Sequence, residues 1–165
     1  LLKKIKQEIW EKFKSSFRTP SKKEANMNLL ITQENDPDSD TIRRIEEGLV
    51  SYNTQKAGDN NKHPLWLICR DDEGIVHAGL KGITFYNWLF VDWLWVDEAF
   101  RSRNHGSNLL LQAEKIAKER GCKNAYLDTF SFQAPKFYVK HGYKEFGQLD
   151  DLPFGHSRIW LKKTL

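Results

Sequence analysis

Leu94-Trp95-Val96-Asp97-Glu98-Ala99-Phe100-Arg101-Ser102-Arg103-Asn104-His105-Gly106-Ser107-Asn108-Leu109-Leu110 reads as a strand that runs into a loop of small residues and donors, which opens into a helix. The start of a helix leaves about four backbone N–H groups without intrahelical partners and carries partial positive charge. Such an end is a seat for phosphate oxygens. The small side chains of Ser102, Gly106 and Ser107 let a ligand approach the backbone, and Arg101 and Arg103 add positive charge. The stretch therefore reads either as a pyrophosphate cradle or as an ordinary basic turn. No Gly-Lys-Ser/Thr follows, so it is not a Walker loop, and it lacks the three spaced glycines of a dinucleotide fingerprint.

The same kind of reading extends in both directions. Upstream, Asn28 to Gln33 is expected as a first strand. The turn Asp36-Pro37-Asp38-Ser39-Asp40 offers N-cap side chains for a helix carrying Ile42, Ile45, Leu49 and Val50 on one face. Strands are expected over Leu65–Cys69, Ile75–Phe85 and Trp88–Val96, with a hairpin turn at Asp71-Asp72-Glu73-Gly74. Downstream, Leu109, Leu110, Ala113, Ile116 and Ala117 make a helical stripe that stops at Gly121. A strand over Ala125–Phe130, a short helix over Ala134–His141, and strands over Tyr143–Phe146 and Arg158–Leu161 complete the pattern. This alternation defines a mixed α/β sheet.

The 165 residues suit one domain with its own core, and 6 Trp, 5 Tyr and 10 Phe exclude a disordered chain. No apolar run approaches the roughly 18 residues that cross a bilayer. Two cysteines, Cys69 and Cys122, make neither a disulfide scaffold nor a four-cysteine zinc site. No histidine spacing suggests a metal, and a reducing, cytoplasmic setting is expected.

The net charge of +4 is unevenly spread. Residues 1–26 hold eight basic and three acidic side chains; the remainder holds 18 basic and 19 acidic. A near-neutral body argues against a nucleic-acid partner. The basic segment itself has helical period through Leu2, Ile5, Ile9, Phe13 and Phe17 and ends near Pro20. It reads as a helix packed on the body or on a second copy in a homodimer, as a linker helix, or as a membrane-surface helix, the last diluted by Glu8 and Glu11. The compact domain is expected over 27–165, with 1–26 as a basic amphipathic extension.

The loop resembles the acyl-CoA-binding motif of the GNAT superfamily of N-acyltransferases, Arg/Gln-x-x-Gly-x-Gly/Ala after a strand ending in Val. Arg101 matches the first position and Gly106 the last; Asn104 replaces the first glycine, a substitution that the left-handed tolerance of Asn can accommodate. Ala134-Pro135-Lys136-Phe137-Tyr138-Val139-Lys140-His141-Gly142-Tyr143 is similar to the family's Ala-x-x-Phe-Tyr-x-x-x-Gly-Phe/Tyr motif, and the order of elements from Met27 to Leu165 also fits. The resemblance implies a mostly antiparallel sheet with two splayed central strands and acetyl-CoA as co-substrate. The pantetheine would lie along the free edge of the strand ending at Trp95-Val96. The pyrophosphate would meet the N–H groups of Arg101, Ser102, Arg103, Asn104, His105, Gly106 and Ser107. Ser131 would stand where relatives place an Asn on the cofactor.

It further implies direct acyl transfer to a primary amine, with Tyr138 giving a proton to the leaving thiolate; from the residues alone, Tyr138 reads as a core aromatic beside Phe137 on a short helix. Asp92, the one acid in the apolar strand Trp88–Val96, is a candidate base, because an acid buried without a partner has its pKa raised. A hydrogen-bonded structural acid, with water removing the proton, is the competing reading. Simple alternation places Asp92, Leu94 and Val96 on one face and Val91, Trp93 and Trp95 on the other. Trp88, Trp93 and Phe132 are candidate walls for a small-molecule amine acceptor, and His156 lies in a loop where relatives often place substrate contacts. A regulatory acyl-CoA-binding module, or an acetyltransferase of protein or peptide amines, fits the same motifs.

Overall fold

The structure is a computed structural model that describes residues 28–165. Its contacts divide the chain between Ile45 and Glu46, and the second unit spans Glu46–Leu165. The sequence expectation of an extension over 1–26 lies outside the described residues.

Helix α1 (Ser39–Ala57) begins as its acidic turn predicts. Asp38 Oδ1 accepts from Thr41 N at 2.8 Å, and its Oδ2 accepts from the Thr41 hydroxyl at 2.8 Å. These donors hold the Asp38 carboxyl below its usual pKa. The strand expected over 28–33 does not form. Those residues join no strand among the described residues, and Leu29, Leu30 and Ile31 are exposed. A run such as Leu-Leu-Ile-Thr has strand propensity, but propensity becomes structure only when a sheet edge satisfies its backbone groups.

The unit 46–165 is built on one six-stranded sheet. Its strands are β1 (His63–Arg70), β2 (Val76–Phe85), β3 (Trp88–Val96), β4 (Asn124–Phe130), β5 (Lys144–Asp150) and β6 (Ser157–Thr164), in the order β1-β2-β3-β4-β6-β5. Every neighbouring pair is antiparallel except β3–β4. Helix α2 (His105–Glu119) supplies the crossover that a parallel pair requires. Helix α3 (Pro135–Lys140) joins β4 to β5.

The predicted stripe on α2 is the one that packs. Leu109, Leu110, Ala113 and Ala117 are buried, together with Leu65, Ala78, Leu80, Leu89, Val91, Leu127 and Leu161 from the sheet. Each leucine taken fully out of water contributes about 1.5–3 kcal/mol.

Two departures position the site. First, β3 pairs with β4 only from Trp88↔Asn124 to Val91↔Leu127; beyond that the strands part. Second, the β2–β3 register slips, with Lys81 opposite Trp93 and Gly82 opposite Val91, so Asp92 is the extra residue of a bulge. The bulge corrects the expected alternation. Val91 is buried on the core side, and Leu94 and Val96 pack against that same core, while Trp93 and Trp95 are about half exposed. Period-two counting fails once one residue is unpaired. Gly82 sits beside the slip because a Cβ there would come within 2.8 Å of the Phe90 carbonyl oxygen.

Candidate active site

Between the parted strands lies a cleft of about 710 Å³. One wall is the free half of β3, represented by Leu94, Trp95 and Val96. Those residues pair with β2 on one side and with no strand on the other. The opposite wall is Phe132, Gln133, Ala134 and Phe137, with Lys140 and His141 behind. Gln133 shapes this wall: its Oε1 accepts from Phe130 N and from the Thr129 hydroxyl, both at 2.9 Å, and so turns the chain out of β4.

The floor is the loop 97–104 and the first turn of α2. Asp97 caps a short 3₁₀ turn, Glu98–Phe100, by accepting from Ala99 N at 3.0 Å. Arg101 Nε donates to the Val96 carbonyl at 3.2 Å, which folds the loop back onto the strand end. Phe100 stacks on His77 at 4.2 Å, and His77 Nε2 lies 2.7 Å from Asp71 Oδ2. That bond, with the Ile75 N–H, holds the Asp71 carboxyl below its usual pKa.

Asn104 occupies the position where the motif prefers glycine, and its φ of 63° is left-handed, as is that of Ser102 at 62°. Asn is among the few residues that enter this region readily. Its side chain makes no capping hydrogen bond, and the first intrahelical bond is Asn108 N to Asn104 O at 2.9 Å. The amides of His105, Gly106 and Ser107 therefore take no cap from the Asn104 side chain, and all three residues line the cleft at the start of the helix. A Cβ on Gly106 would touch Leu94, Val96 and Phe137 at 3.6 Å each, which shows how tightly the helix start sits against both walls. A diphosphate fits this donor set, and an extended amide-bearing chain fits the unpaired edge of β3.

Of the residues expected at the cofactor, Trp95, Val96, Arg101, Ser102, Asn104, His105, Gly106 and Ser107 line this cleft. Arg103 does not; its guanidinium lies over the Phe100 ring at 5.6 Å. Ser131 does not line it either. Its Oγ accepts from Ser157 N at 3.1 Å and its N–H donates to Ser157 O at 2.8 Å, so it fastens β4 to β6. Sequence reasoning passed over Phe100, Gln133, Phe137, Lys140 and His141. Phe137 is the Phe of the Ala-x-x-Phe-Tyr motif, which was the available signal, while Lys140 and His141 fall at its unspecified positions.

Tyr138 is buried beside Phe137 and Tyr143, at ring distances of 5.1 and 6.1 Å. Burial, helped by the negative charge of Asp128, pushes its pKa up to about 12, so its hydroxyl is protonated throughout the neutral range. Asp92 is not the unpaired buried acid of the sequence argument. It is about one-third exposed, and its Oδ2 lies 2.6 Å from Lys81 Nζ. Lys81 in turn sits over the Trp93 ring at 4.1 Å.

The acceptor candidates divide. Phe132 lines the cleft and meets His156 edge-on at 4.9 Å. Trp93 packs edge-on to Trp66 at 6.0 Å, on the sheet face away from α2. Trp88 lies at the sealed end of β3, against Tyr126, and borders a separate cavity of about 430 Å³. A contact not foreseen is Asp128 with Arg158, 2.6 Å apart across β4 and β6. Thirty residues separate them in the chain, and no local pattern links them.

A parallel pair that splits, with a helix start at its mouth, is the arrangement that the resemblance to the acyl-CoA-binding motif implies. Residues 7–143 match the model of the acetyltransferase (GNAT) family, and the chain belongs to that family. It is 36% identical over 137 residues to Acetyltransferase Atu2258 of Agrobacterium fabrum, covering 83% of this chain and 98% of that one. It is 39% identical over 95 residues to blasticidin-S acetyltransferase of Streptomyces morookaense, covering 57% of this chain and 70% of that one. A crystal structure of an acetyltransferase from Bacillus cereus superposes with a TM-score of 0.73 at 36% identity, over 81% of this chain and 98% of that one. The protein is thus an acyltransferase, with a mixed, mostly antiparallel sheet of the GNAT type. No helix among the described residues is long and apolar enough to cross a membrane.

Proposed function

We propose that the protein transfers the acetyl group of acetyl-CoA to a primary amine of a small molecule by direct attack. The observation that carries this reading is the parting of β3 from β4 after Val91↔Leu127, with a cleft that ends on the uncapped start of α2. Acetyl-CoA supplies the thioester. The amides of His105, Gly106 and Ser107 bind its diphosphate, with Arg101 and Lys140 adding charge, and the free edge of Trp95-Val96 orients its amide-bearing arm.

The amine attacks as its neutral form. As the carbon–nitrogen bond forms and the carbon–sulfur bond breaks, water carries away the proton lost from nitrogen, because the Asp92 carboxylate is already held by Lys81. Tyr138 donates its proton to the departing sulfur, and solvent returns one to it. The products are an amide and a free thiol. The blasticidin-S relative supports a small-molecule acceptor, and a reducing, cytoplasmic setting suits the free thiols Cys69 and Cys122.

Calorimetry with acetyl-CoA, followed by thiol release across an amine panel, tests the reading. Binding in the micromolar range and amine-dependent thiol release are expected. No binding at millimolar acetyl-CoA overturns it.

A further inference from the structure

Val91↔Leu127 is the last pair that β3 and β4 make. The next residue on each strand is an aspartate, Asp92 on β3 and Asp128 on β4. Each is paired with a cation from the strand beyond it: Asp92 with Lys81 of β2 and Asp128 with Arg158 of β6, both at 2.6 Å. The two ion pairs therefore flank the apex of the split. On β4, Asp128 alternates with the buried Leu127 and Thr129 and so points to the sheet face away from α2. Lys81, over Trp93, holds Asp92 to the same face.

The pairs are not equivalent. Lys81 is a compact point charge already shared between Asp92 and Trp93. The Arg158 guanidinium lies over the Phe130 ring at 5.5 Å and the Trp160 ring at 5.4 Å, and only its Nε reaches Asp128 Oδ2. Its terminal nitrogens and Asp128 Oδ1 make no hydrogen bond with another described residue. A guanidinium carries five N–H donors and favours bidentate capture of a carboxylate. One unused carboxylate oxygen thus stands beside unused guanidinium donors. Phe130 stacks on Phe132, which lines the cleft, and the Asp128 charge is felt at Tyr138.

We propose that Asp128 and Arg158 form the acceptor-binding element and select an amine that carries a carboxylate close to it. Asp128 Oδ1 holds the ammonium at the apex, and the terminal nitrogens of Arg158 take the carboxylate. The donor occupies the α2 side and the acceptor the opposite face, so the two meet through the gap. A polycationic acceptor gains nothing from this element, because Arg158 repels its second charge. The inference rests on the acetyl-transfer reading above and narrows its acceptor to zwitterions.

The test compares amino acids with their methyl esters and with diamines of similar length, following thiol release, alongside calorimetry with acetyl-CoA alone. For the wild type, kcat/KM for the preferred amino acid should exceed that for its ester at least tenfold. Arg158→Gln should raise the amino-acid KM tenfold or more, leave the ester KM within twofold and leave the acetyl-CoA Kd unchanged. Arg158→Lys should restore part of the loss. Equal use of acid and ester, preference for diamines, or an Arg158→Gln loss that is the same for both partners overturns the proposal. So does acetyl-CoA binding with no zwitterion acetylated. Failure to bind acetyl-CoA overturns the broader reading instead. The wild-type comparison stands even if a variant folds poorly.

Discussion

The two halves of β3 carry the same backbone chemistry to opposite ends. From Trp88 to Val91 the strand is paired on both sides, and Leu89 and Val91 are buried. From Trp93 to Val96 it is paired only with β2, and Leu94 to Val96 open on the cleft. The first half turns every amide to stability, and the second leaves a row of donors and acceptors for a ligand. The bulge at Asp92 is the junction, where an inserted residue lets the strand bend away without losing β2. The sealed half anchors the strand, and its pairing holds the open half in place along the cleft.

Breaking the anchor should have the largest effect. Leu89→Ala, at a fully buried position, is expected to cost about 2–5 kcal/mol in chemical denaturation. The fraction still folded should turn over normally, since Leu89 touches no part of the cleft. A turnover defect in the folded fraction would mean the halves are not separable.

Tyr138→Phe sharpens the comparison through the proposed chemistry, at a buried residue of α3 packed on the cleft-wall residue Phe137. Turnover should fall about 100-fold, near the lower end of what general acids contribute, with the acetyl-CoA Kd unchanged. The same residue makes a pH prediction. Its folded pKa of about 12 lies above the unfolded value near 10. The associated stability is therefore fully present below pH 10 and is lost as pH rises through about 12, by roughly 2–3 kcal/mol. Tyr143, pushed higher still by burial and by Glu114, adds a decline of the same sign. Denaturation midpoints between pH 9 and 12 should show a shallower fall in Tyr138→Phe. Turnover of the wild type should show no alkaline loss from Tyr138 below pH 11.

Gly82→Ala attacks the junction. Its methyl group would meet the Phe90 carbonyl oxygen at 2.8 Å, so β2 and β3 must separate locally, at an expected cost of about 1–3 kcal/mol. The smallest effect should come from Lys81→Met. The pair with Asp92 is about one-third exposed on each side, so stability should change by less than about 1 kcal/mol in a thermal melt. A loss of several kcal/mol would show that the bulge depends on that ion pair.

Much of this was legible in the chain itself. The strand from Trp88 to Val96, the stripe from Leu109 to Ala117 and the loop between them lie where periodicity and composition put them. Asn104 adopts the left-handed backbone that its residue type allows. Four features were not legible. The strand read at 28–33 required a partner edge that propensity cannot supply. The faces of β3 were misread because a bulge leaves no trace in period-two counting. Asp92 looked like a buried acid because its cation, Lys81, comes from a neighbouring strand, and the Asp128–Arg158 pair is hidden for the same reason.

The sequence by itself determined which segments become strands and helices, and that a donor-rich bend precedes α2, because these depend on neighbours within a few residues. Only the tertiary structure decided where β3 lets go of β4, which face each tryptophan takes and which charges meet at the apex. Those outcomes depend on register between strands far apart in the chain, and register is set by the packing of the whole sheet rather than by any one segment.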